Sequence, residues 1–114
     1  MSIYEITYIA RQEITEKDVE AITKTFADLI SKEGGKILKT EYWGLREFAY
    51  EIKKAKKGHY AHIVAEAASS IIKEANRQMR LHEDILRELT VVVNEFNKEP
   101  SAILNKEEDE AREA

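Results

Sequence analysis

Residues 36–67 read KILKTEYWGLREFAYEIKKAKKGHYAHIVAEA, and the reading of this stretch decides the fold. β-branched and aromatic side chains run through both halves, and a burst of lysines divides them. The first half predicts an extended segment from Lys36 to about Lys53, and Gly44 inside it marks a bulge or bend. Lys54 to Lys57 form a polar tip, and Gly58 reopens the chain into a second strand over 59–67. Two strands joined by a short loop make an antiparallel hairpin.

Working outward, residues 3–10 alternate Tyr4, Ile6, Tyr8 and Ala10 against Ile3, Glu5, Thr7 and Ile9, which predicts a strand. Thr15 offers a helix N-cap, with Glu16 and Asp18 in the first turn where the macrodipole favours carboxylates. Val19, Ile22, Phe26, Leu29 and Ile30 follow at helical spacing, and Gly34-Gly35 stops the helix. After the hairpin, Ser69 and Ser70 are candidate caps for a second helix with Ile72, Ala75 and Met79 on one face. Residues 85–93, ILRELTVVV, are a strand by composition. The order βαββαβ predicts an α+β, ferredoxin-like split β-α-β domain over 1–93, a four-stranded antiparallel sheet with two helices packed on one face. Both faces of the last strand are half apolar, so alternation leaves open which one lies under the helices. Arg87 shares its side with Ile85, Leu89, Val91 and Val93, an awkward place for a guanidinium away from a strand end or an anion.

The chain has 114 residues, 35% of them charged and 43% hydrophobic, with a net charge of −4. One core fits that length. The total conceals an asymmetry. Residues 94–114 hold seven acids and three bases, residues 1–93 hold fifteen of each sign, and residues 36–62 hold seven bases and three acids. Pro100 and the acid-rich end predict a flexible acidic tail over 94–114. The absence of cysteine favours a reducing, cytoplasmic setting, and there is neither a membrane-length apolar run nor a basic head before the first apolar residues.

Chemistry finds little support. His59 and His62 stand three apart on one strand, so they point to opposite faces and cannot share a metal ion; no metal is expected. No nucleophile elbow, P-loop or dinucleotide fingerprint occurs, and the strand carboxylates lack an oriented partner, so no catalytic residue and no cofactor is expected. Lys73, Arg77 and Arg80 fit a solvated helix face paired with Glu74 or Glu83. The hairpin differs. Arg46, Lys53, Lys54, Lys56 and Lys57 surround its tip, while Tyr60 and His62 share one side of the second strand. Such cations neutralise phosphates and such rings stack on unpaired bases. Lysine-rich tips also serve solubility and blunt sheet edges, so the residues alone leave the two purposes balanced.

Particular residues then carry a resemblance. Tyr4-Glu5, Glu33-Gly34-Gly35-Lys36-Ile37, Trp43-Gly44-Leu45-Arg46-Glu47-Phe48-Ala49-Tyr50-Glu51-Ile52, Lys54, Gly58-His59-Tyr60 and Arg80-Leu81-His82-Glu83-Asp84-Ile85-Leu86-Arg87 stand in the order of the sixth small-subunit ribosomal protein of bacteria. The chain resembles that family over about residues 3–93, with Glu51 where members commonly carry proline. The resemblance implies a non-enzymatic protein that binds the central domain of small-subunit (16S) ribosomal RNA as a heterodimer with the eighteenth small-subunit protein, bS18. The family's basic positions match Arg46, Lys54 and Arg87. The expected RNA set is therefore Arg46, Lys53, Lys54, Lys56, Lys57, Tyr60, His62 and Arg87. Trp43, Tyr50 and the open sheet face are expected to meet the partner protein, whose positive charge the acidic tail would suit. A ferredoxin-like regulatory domain would need a polar pocket loop, for which Gly34-Gly35 is the one candidate. A small hydrolase would need an anion cradle after the first strand, where Arg11 has Glu13 nearby.

Overall fold

The computed structural model describes residues 2–93, and the expected acidic tail lies outside them. The elements run β1 (Ser2–Arg11), α1 (Glu16–Lys32), β2 (Lys36–Ile52), β3 (Ala55–Ala67), α2 (Ser69–Leu81) and β4 (Ile85–Val93), the order the sequence predicts. The strands form one sheet in the order β2-β3-β1-β4, and every neighbouring pair is antiparallel. Ile6, Tyr8 and Ala10 of β1 and Ala61, Ile63, Ala65 and Ala67 of β3 supply the floor of the core. Val19, Ile22, Phe26 and Ile30 of α1 and Ile72, Ala75 and Met79 of α2 cover it. The side of β4 that alternation left open is settled by Asn76 on α2, whose Oδ1 accepts from Thr90 Oγ1 at 3.0 Å. Glu88 likewise reaches Arg80 of α2 at 2.8 Å. Arg87, Leu89, Val91 and Val93 therefore line the open face.

Local signals explain α1. Thr15 Oγ1 accepts from the Asp18 backbone N–H, and the Asp18 carboxylate accepts from the Thr15 N–H, a closed capping box. At the far end Gly35 N–H donates to Ile30 O and Gly34 N–H to Ser31 O, with Gly34 at φ +104, the Schellman arrangement. Tyr8 anchors the helix to the sheet by donating to Val19 O at 3.0 Å, with Thr23 Oγ1 also in reach. Burial pushes this phenol up to about 12, so it keeps its proton and its donor role.

Two expectations need correction. Ser69 and Ser70 do not cap α2. β3 runs to Ala67, leaving Ala68 alone to turn the chain, and both serines fall inside the helix while the Ala68 N-cap has no side-chain acceptor. The hairpin tip is also shorter than Lys54–Lys57. Ile52 pairs with Ala55, so the loop is Lys53-Lys54, both at positive φ (+49 and +67). Such a two-residue turn matches strand twist but normally carries Asn-Gly, and two lysines give no sequence signal for it. Lys56 and Lys57 consequently belong to β3.

Candidate nucleic-acid interface

The open face collects Tyr60, Ile9 and Arg87 side by side, and a bulge brings one more residue onto it. Tyr60 stands between Ile9 and Gly44 in the ladder, and Ile9 pairs with Arg87 on its other side. The β2–β3 register slips between Tyr42 and Gly44, where Gly44 takes φ +92. The extra residue there is Trp43. Its ring folds onto His62, centroids 4.8 Å apart and planes 21° from parallel. Arg46 steadies this bulge by donating from Nε to Trp43 O at 3.1 Å.

Beyond the bulge the hairpin carries its cations toward the start of β4. Lys53, Lys54 and Lys56 line an open hollow of about 500 Å³ with Arg11 and Leu86. Lys53 also lines a smaller hollow of about 220 Å³ with Arg80 and Arg87. Arg11 is engaged by Asp84 at 2.5 Å, which raises its pKa further, and Arg80 by Glu88. Lys57 stands 3.8 Å from Glu47. Lys53, Lys54, Lys56 and Arg87 are exposed and have no ion pair among the described residues. Phosphate neutralisation needs cations of this kind, held close together with their charge uncompensated. Arg11 and Arg80 are the rim residues that sequence reasoning left out, because only the fold brings residues 11, 53 and 80 together. On the helix Arg77 pairs with Glu74 as expected, at 2.6 Å, and holds that carboxyl down at about 2.

Two of the expected contact residues are covered. His62 has no exposed surface. Its Nε2 lies 3.3 Å from Glu5 Oε1 and its Nδ1 3.0 Å from Thr7 Oγ1. A carboxylate only accepts, which places the proton on Nε2 and makes Thr7 the donor to Nδ1. Trp43 is 7% exposed, and its ring covers His62. The bulge and neighbouring side chains close over both rings. His59 points the other way, with Nε2 2.7 Å from Ile14 O and Nδ1 2.7 Å from Tyr42 Oη, which separates the two histidines as strand geometry requires. Tyr50 is 85% exposed and Tyr60 half-buried against Phe48.

Burial lowers the pKa of His62, outweighing the nearby Glu5 and Glu41 carboxylates that favour its charged form, while Lys39 adds to the lowering. The unfolded chain therefore takes up this proton first as pH falls. Stability from this group is complete above the ordinary histidine pKa of about 6.5 and is lost as pH drops towards the folded value. Urea midpoints between pH 8 and 5 should fall more steeply for the parent than for His62→Gln. Equal slopes would mean that His62 titrates alike in both states.

The open face also bears an apolar stripe, with Leu89 55% and Val91 40% exposed. A sheet face of this kind beside a basic rim suits a protein and an RNA at once. The family model described as Ribosomal protein S6 matches residues 3–92. The chain belongs to the ribosomal protein S6 family. The small ribosomal subunit protein bS6 of Parvibaculum lavamentivorans is 44% identical over 96% of this chain and 70% of its own length. That of Paramagnetospirillum magneticum is 46% identical over 91% and 72%. The crystal structure of 30S ribosomal protein S6 from Thermotoga maritima superposes with a TM-score of 0.74 at 29% identity, covering 97% of each chain. The Thermotoga protein thus shares the fold on which this basic rim is built. No helix among the described residues is long and apolar enough to cross a membrane.

Proposed function

We propose that this chain is a structural, non-catalytic component of the cytoplasmic small ribosomal subunit that binds the central domain of 16S ribosomal RNA together with bS18. The observation that carries the reading is the meeting of Lys53, Lys54 and Lys56 with the hollows that Arg11, Arg80 and Arg87 line at the start of β4. Lys53, Lys54, Lys56 and Arg87 take phosphates. Arg46, Lys57 and Tyr60 stand next to them, the first two steadied by Trp43 O and Glu47, the third offering a partly open ring. bS18 takes the open face, on Leu89, Val91 and Tyr50, where apolar surface is exposed. The domain's near-neutral charge fits joint binding, in which a basic partner supplies the remaining cations.

A mobility-shift titration of a central-domain RNA fragment tests this. This chain and bS18 together are expected to retard the fragment at concentrations where neither does alone. Failure of the pair to bind the fragment at low salt would overturn the reading.

A further inference from the structure

β2 ends the sheet, and no described strand pairs with its outer edge. Between residues 40–42 of that edge and α1 runs a groove of about 430 Å³. Val19, Thr23, Ala27, Thr40 and Tyr42 form its floor and walls, and Glu20 and Lys24 stand on its lip. The Tyr42 wall is fixed, because its hydroxyl meets His59, whose other ring nitrogen is held by Ile14 O. The helix wall is negative towards Tyr42. Burial first, and then the Glu16 and Glu20 carboxylates, raise the Tyr42 phenol pKa.

We propose that an extended peptide segment of another protein, with a basic residue next to an apolar one, adds to the outer edge of β2 and seats its apolar side chain in this groove. Backbone groups of an edge strand supply the affinity in such strand addition, and a pocket for alternate side chains supplies the selectivity. The basic side chain meets Glu16 and Glu20. The same carboxylates repel a phosphate backbone, which separates this surface from the RNA rim. They also disfavour the chain's own end, since residues 94–114 carry seven acids against three bases. The inference does not depend on ribosomal RNA binding.

The test uses the full isotope-labelled chain, titrated with an alternating lysine–valine heptapeptide and, separately, with its glutamate–valine counterpart. The lysine peptide is expected to shift Thr23, Ala27, Thr40 and Tyr42 in amide spectra and to slow amide exchange along 39–42; the glutamate peptide is expected to do neither. Ala27→Trp, which fills the groove, should abolish the response, and Glu20→Lys should weaken it while the spectrum stays dispersed. No response to either peptide, equal responses to both, shifts confined to the basic rim or open face, or full binding by Glu20→Lys would each overturn the proposal.

Discussion

Gly58→Ala is expected to lower the melting temperature by roughly 10 to 20 °C. A Cβ at Gly58 would stand 2.7 Å from Ile9 Cγ2, 2.7 Å from Phe48 Cζ and 2.9 Å from Ala10 O. The rings and methyls can turn aside, but the Ala10 carbonyl belongs to β1, which pairs with β3 from Ser2↔Ala67 to Arg11↔Gly58. Relief therefore requires the two central strands to part. Overpacking of this kind costs about 1–3 kcal/mol, and each kcal/mol moves the midpoint of a domain this size by about 4–8 °C. Thermal unfolding followed by circular dichroism measures it directly. A midpoint within about 3 °C of the parent would mean that the strands give way more easily than their pairing implies. The sequence placed Gly58 at the end of a loop, whereas it lies buried within β3 because β1 and Phe48 approach too closely for a side chain.

What the sequence revealed and what it hid divide along a physical line. Thr15, Asp18 and Gly34 act within one turn of chain, so their roles in starting and stopping α1 could be read before any tertiary structure was known. The element order βαββαβ was legible because each strand and helix carries its own apolar period within a few turns of chain. The Lys53-Lys54 turn was hidden because its positive φ values come from strand twist and pairing rather than from residues that prefer them. The burial of His62 was hidden for a different reason. Period-two alternation assigns a face but cannot tell that a register slip will lay Trp43 across it. At the candidate interface the lysines were legible individually. Their proximity to Arg80 and Arg87 was not, since more than 25 residues of chain separate Lys53 from either.

That proximity gives the second large expected effect. In Lys53→Asn/Lys54→Gly/Lys56→Gln/Arg87→Gln, RNA affinity in the presence of bS18 should fall by about three decades at 0.1 M salt. Each phosphate contact contributes about 0.7–0.9 to the slope of log affinity against log salt, so four lost contacts flatten it by about 3. Between a 1 M reference and 0.1 M salt, that slope difference amounts to about a thousandfold. The substitutions at the tip are chosen for the backbone. Lys53 and Lys54 sit at φ +49 and +67, and Asn-Gly is the pair that favours such a turn, so charge is removed while the hairpin is held or tightened. Arg87 is exposed on the open face, and glutamine keeps most of its stem without the charge. A melting temperature at or above the parent's, together with a flattened salt dependence, would assign the loss to phosphate contacts rather than to unfolding. Parent affinity with an unchanged slope would leave these four cations a solubility role and move the RNA to another surface.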